Sequence, residues 1–355
     1  MQVPLIPNQP LLQAERGPMG PLQLRRHVRL GLLENSAFDP DRLDFDISYI
    51  ATQAASPTFV EHMRGAVRLI RQAVTDRPRP RIIEIGCGKG EFLDLLLEEG
   101  FDAYGFDTSY QGNDPRIQKR RIADNESLQA DVIVMRYVLD YITAPHSYLG
   151  RLSEACAGGL IYIEGPRLEF TLERQNFHDI CYEQPNYFTS HCMRILYPQA
   201  IAHGDCFGGA YQYTMARLDG FSKEFAKLYA EGPWEYVAFE ELFPSVLDRL
   251  NQIQERLGQD TQIFIWGSAR KGVMFAYHCA RLGRLIERII GVVDINPARW
   301  GKFLPGTGLK IVPPEVFYER TKPGDVLVIV NGNYRAEILD GLAAHNVRGL
   351  MVETL

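Results

Sequence analysis

The chain has 355 residues, 46% of them hydrophobic and 23% charged, and carries a net charge of −6. That length gives room for two or three cored domains of an ordinary globular protein, and the acidic balance argues against a strong general affinity for nucleic acid or an anionic membrane surface. No apolar run is long enough to span a bilayer, "MQVPLIPNQP" lacks the marks of a secretory signal, and six scattered cysteines without C-x-x-C spacing fit reduced thiols in a cytoplasmic protein.

In chain order, residues 1–40 are proline-rich and irregular, and 1–55 read as an N-terminal segment. "SPTFVEHMRGAVRLIRQAV" predicts an amphipathic helix from about Ser56. From Arg81, strands near 81–85, 102–106, 131–135 and 159–164 alternate with helices near 90–99 and 145–156. That alternation implies a parallel sheet with helices on both faces. Residues 194–218 predict a closing pair of strands around a glycine-containing turn, so the first domain runs over 56–220. Residues 221–258 read as a charged helical connector, and a second, smaller α/β unit fills 259–355. The fold class is α/β, two Rossmann-like domains in tandem.

The chemistry starts at "IIEIGCGKGEFL", residues 82–93, a β-branched strand broken by Gly86, Gly88 and Gly90 before a leucine-rich helix. No Ser or Thr follows a Gly-Lys, so this is not a P-loop, and the third glycine comes one residue early for a dinucleotide fingerprint. E/D-x-G-x-G-x-G, beginning here at Glu84, is the signature of S-adenosylmethionine-dependent methyltransferases of the Rossmann-like class I. Asp107 ends the second strand, where an acid accepts hydrogen bonds from ribose hydroxyls. Thr108 is placed along the adenine, Asp124 or Asn125 at the adenine edge, and Arg136 at the end of the fourth strand.

Further along, "WGSARKGV", "VVDINPARWGKFLPGTGLKIVPPE" and "VNGNYRAEI" resemble the C-terminal domain of the sugar C-methyltransferase family. "LLENSAFDPDRLDFDISYIATQAASPT" and "IEGPRLE" also resemble family segments. The resemblance spans about 27–355 and implies methyl transfer to a small-molecule acceptor, commonly a nucleotide-linked sugar, bound between two α/β domains. Three departures bear on mechanism. The family's N-terminal zinc site has C-x-x-C-G-L where this chain has "HVRLGL", with His27 and Leu30 at the cysteine positions, so no metal is expected. The family's I-Y-E-H-x-S-Y-F motif reads "ICYEQPNYF": Tyr182, Glu183, Tyr187 and Phe188 match, but Gln184 replaces a histidine. "RYVLDY" places Tyr137 and Tyr141 where the family often has histidines.

Glutamine cannot take a proton. Either Glu183, Tyr182 or nearby His178 is the base, or the acceptor is a nitrogen or acidic oxygen that needs little help. Tyr187, Lys271, Asn331, Asn333 and Tyr334 are the expected acceptor-binding residues, with Lys271 pairing a phosphate. Two rival readings stay open: an NAD-dependent oxidoreductase using the glycine loop at Gly267 and Asp294, and an inactive partner-binding protein.

Overall fold

In the computed structural model, which describes residues 1–44, 49, 54–122, 126–156 and 158–355, the proline-rich start is ordered. Strands β1 (Gln2–Pro4) and β2 (Met19–Pro21) pair antiparallel, as do β3 (Leu24–His27) and β4 (Leu33–Asn35). Val3, Leu5 and Ile6 are buried in one core with Phe177, Tyr182, Met274 and Phe275 of later segments. The sequence hides these strands because three or four residues are too few to show a period of two. At the turn between β3 and β4, Leu30 N donates to His27 Nδ1 (3.1 Å), and the opposite ring nitrogen meets Leu228 O (2.7 Å). Hydrogen bonds close this turn, with Gly31 at φ +67°.

Helix α1 (Pro57–Ala73) begins where predicted, with Ser56 as N-cap and Pro57 at its first position. Phe59, Met63, Ala66, Val67 and Ile70 recur at helical spacing and are buried. They pack on one face of a seven-stranded sheet, alongside Phe92 and Tyr162. The sheet elements follow in order: β5 (Arg81–Ile85), α2 (Glu91–Glu98), β6 (Asp102–Phe106), β7 (Ile117–Gln118), β8 (Val132–Arg136), α3 (Pro145–Ala155) and β9 (Leu160–Pro166). Then come α4 (Leu168–Glu173), β10 (Asn186–Tyr187), α5 (Ser190–Leu196), β11 (Ala202–Cys206) and β12 (Tyr211–Arg217). The strand order is β11-β12-β9-β8-β5-β6-β7, with β12 antiparallel to both neighbours. The predicted closing pair is therefore present, turning at Gly208 and Gly209.

The connector differs from its reading. Between α6 (Lys223–Glu231) and helices α7 (Phe239–Leu242) and α8 (Val246–Glu255) lies β13 (Trp234–Tyr236), which pairs with β3. It completes a four-stranded sheet, β10-β4-β3-β13, drawn from three distant stretches of chain. The second domain holds β14 (Ile263–Trp266), α9 (Arg270–Arg281), β15 (Ile289–Val293), β16 (Ile311–Val312), α10 (Pro314–Arg320), β17 (Val326–Ile329), α11 (Arg335–Ala344) and β18 (Met351–Thr354). Its strands are all parallel, in the order β16-β15-β14-β17-β18. No helix is long and apolar enough to cross a membrane among the described residues.

Candidate active site

The loop after β5 takes all three glycines into the left-handed region, at φ +71°, +56° and +90° for Gly86, Gly88 and Gly90. A side chain at Gly86 would strike Val138, whereas one at Gly88 would meet nothing within 4 Å. The loop is thus packed underneath and open above, which lets a ligand approach its backbone. Asp107 stands beside it: Oδ2 accepts from Gly88 N (2.8 Å), and Oδ1 accepts from Ser109 N and Oγ (both 2.7 Å). An open glycine backbone next to a fixed acid suits the amino-acid and ribose portions of S-adenosylmethionine. Thr108 is exposed at the same edge. Asp124 and Asn125 lie outside the described residues.

Two buried polar networks flank the carboxyl ends of β8 and β9. Facing α1, Arg136 pairs with Glu164 (3.2 Å) and lies over Phe92 (4.4 Å). Glu164 also takes His62 (2.9 Å), Tyr162 OH (2.7 Å) and a short bond from Tyr137 OH. Burial alone would raise this carboxyl, but Arg136, His62 and Tyr137 hold it well below the usual range. Next to them Glu84 has little compensation, and burial lifts it to about 8 despite Arg136. Tyr137 holds φ +56°, a strained value for a non-glycine residue, at the end of β8. His62, Glu164 and Cys206 bring potential metal-ligand atoms within 4.8 Å of one another, but Glu164 is already saturated by protein donors.

On the opposite face, Gln184 Nε2 donates to Asp140 Oδ2 (2.8 Å) while Gln184 Oε1 accepts a short bond from Arg270 at the start of α9. Burial lifts Asp140 to about 7 against the pull of Arg270. Glu183 is fully buried; Oε1 accepts from Asn8 Nδ2 (2.7 Å), and Oε2 has no hydrogen-bond partner among the described residues. Burial lifts it to about 7 against Arg270 and Arg299. Asn8 Oδ1 in turn accepts from Arg270 N (3.1 Å), so the N-terminal segment and both α/β domains meet here.

Residues 59–202 match the family model described as a methyltransferase domain, and residues 216–352 match the C-methyltransferase C-terminal domain. The chain is a methyltransferase. S-adenosylmethionine is its cofactor, and the residues at Gly86–Gly90 and Asp107 fit that role. No curated relative matches this methyltransferase. Among solved structures, it resembles the plantazolicin methyltransferase BpumL in complex with SAH, at 17% identity over 35% of this chain and 52% of that one, with a TM-score of 0.28. It therefore spans about half the length of that protein. A SAM-dependent methyltransferase from Aquifex aeolicus matches at 10% identity over 47% and 95% of the two chains (TM-score 0.34). The Burkholderia thailandensis 1,6-didemethyltoxoflavin-N1-methyltransferase matches at 16% over 44% and 77% (TM-score 0.34).

Several of the expected site residues of the methyltransferase have protein partners. Tyr182 OH is held by the backbone N and O of Asp39, and Tyr187 OH by those of Cys181. His178 is buried in the core with its Nε2 on Val330 O (3.1 Å), and burial drops its pKa to about 3. It is a packed neutral ring. Arg136 is buried and engaged by Glu164 (3.2 Å). Lys271 pairs with Asp179 (2.5 Å), which removes it as a free phosphate ligand.

A cavity of about 760 Å³ lies between α4, α8 and the carboxyl ends of β17 and β18. Lys271, Asn331 and Asn333 line it with Arg174, Asn176 and Arg249, whereas Tyr334 packs its ring on Phe207 (5.6 Å). At the second glycine loop α9 packs tightly, since a side chain at Gly272 would strike Gly267 O. Asp294 accepts from Ser268 N and Oγ and from Asn296 N (2.9, 2.5 and 2.9 Å), as Asp107 does at the first loop, but it is buried where Asp107 keeps partial exposure. Sequence reasoning missed Asn8, His62, Asp140, Glu164 and Arg270. Glu164 alone carried a signal, an acid at the carboxyl end of a parallel strand.

Proposed function

We propose that the enzyme methylates carbon in a small polar acceptor, a nucleotide-linked sugar or specialised-metabolite intermediate, held where the N-terminal segment and the two α/β domains meet. The observation that carries this reading is Glu183: one oxygen fixed by Asn8, the other without a hydrogen-bond partner among the described residues, and burial holding the group at about 7. A carbon nucleophile needs a base near neutrality to take the proton beside a carbonyl, and this carboxyl supplies one without a histidine. Arg270 stands close enough to stabilise negative charge as that proton leaves, while Gln184 fixes Arg270 and Asp140 relative to each other. S-adenosylmethionine, when bound, would supply an electrophilic methyl group and leave as S-adenosylhomocysteine.

The test uses S-adenosylmethionine with a ¹³C-labelled methyl group and a nucleotide-linked sugar that bears a carbonyl. The expected product shows ¹³C bonded to carbon by NMR. A methyl group on oxygen or nitrogen would overturn the carbon-directed reading.

A further inference from the structure

The second domain presents one short run, Asn333–Glu337, to two elements of the first, the β11–β12 turn and the start of α1. Asn333 Nδ2 donates to Phe207 O (3.0 Å) at the β11–β12 turn, and the Tyr334 ring meets Phe207 edge-on. Three residues later, Glu337 Oε2 accepts from Ser56 Oγ (2.6 Å), Thr58 Oγ1 (2.7 Å) and Thr58 N (3.3 Å). These donors are the N-cap and first turn of α1, a 17-residue helix with no acid of its own in that turn. Glu337 thus lends α1 the negative charge its N-terminus favours, from a different domain. In the same turn α1 carries Phe59 against Phe207 (5.6 Å), and one turn further on His62 onto Glu164 and Tyr137 (2.9 and 3.1 Å) at the carboxyl ends of β9 and β8.

We infer that Glu337 is a positioning residue for the cofactor site: it seats α1 and, through it, His62 over the cleft. The C-terminal domain therefore sets cofactor affinity as well as covering the acceptor. This rests on the glycine loop and Asp107 being the S-adenosylmethionine site.

Calorimetry with S-adenosylhomocysteine tests it without any acceptor. Glu337→Ala should weaken binding about tenfold and speed amide hydrogen exchange in the first turns of α1. Glu337→Gln, which still accepts from both hydroxyls, should recover part of the affinity. A Ser56→Ala/Thr58→Ala pair should reproduce the loss, and combining it with Glu337→Ala should add little further, as expected for partners in one contact. That pair also serves if Glu337→Ala does not fold. Asp340→Ala, on the exposed side of the same helix, is the control. Affinity within twofold of the parent with unchanged α1 exchange, or an equal loss in the control, overturns the inference. If the parent binds no S-adenosylhomocysteine, or Asp107→Ala binds it unchanged, the cofactor site itself is misplaced; a weak Asp107→Ala beside an unaffected Glu337→Ala defeats only the role of Glu337.

Discussion

Replacing Asp140 with asparagine tests whether burial really holds that carboxyl neutral. Its ordinary value is 3.8 and its value in the folded protein about 7. Between those two values the native protein keeps a proton that the unfolded chain has released. The stability from this group is complete below about pH 4, is lost as pH rises to about 7, and stays lost above. Each pH unit is worth about 1.4 kcal/mol, so the whole window amounts to at most about 4 kcal/mol. Asparagine carries no proton to lose, and its amide oxygen still accepts from Gln184. Relative to the parent, Asp140→Asn should therefore gain stability steadily from pH 4 to 7 and hold the gain to pH 9. Urea unfolding of both proteins across that range is the assay, with the chain's own titration cancelling in the difference. A flat difference, or one that widens toward acid, would refute the reasoning.

Asp107→Ala should weaken S-adenosylmethionine binding in calorimetry by roughly 1.5–3 kcal/mol, the scale of hydrogen bonds to a charged group; an unchanged constant removes it from the site. Glu183→Gln should cut turnover by roughly 10²–10⁴-fold while S-adenosylhomocysteine still binds, and full activity would show that the proton leaves elsewhere. His27→Ala should cost about 1–3 kcal/mol in unfolding experiments, because Leu30 N and Leu228 O lose a buried partner. A chelator should leave the parent's Tm unchanged, and a drop would place a metal in the N-terminal segment.

The long periodic elements were legible in the chain, because β5, β6, β8, β9 and α1 each repeat a pattern over five residues or more. The loop at Gly86 was legible for a local reason: three left-handed positions at alternate residues demand glycine. What could not be read was long-range pairing. Asn8 reaches Glu183 across the chain, Arg270 reaches Gln184 from the other domain, and neither leaves a mark on its own neighbours. The motif at Tyr182 and Tyr187 fixes residue type but not what each hydroxyl touches, which here is backbone of Asp39 and Cys181. Nor does the sequence near His178 show that its ring is buried against Val330 O.

The shared core of the N-terminal segment and the second domain has a kinetic consequence. Val3, Leu5 and Ile6 leave the ribosome long before the α9 residues they pack on, since Met274 and Phe275 are made some 270 residues later. At 5–20 residues per second, that leaves apolar side chains uncovered for on the order of ten seconds or more. The four-stranded sheet has the same delay, since β3 waits for β13 and β4 for β10. Such high contact order makes folding slow and the nascent chain prone to aggregate. Chaperone supply during expression, more than the stability of the finished protein, should therefore govern how much active enzyme a cell accumulates, and lowering the growth temperature should raise the soluble yield.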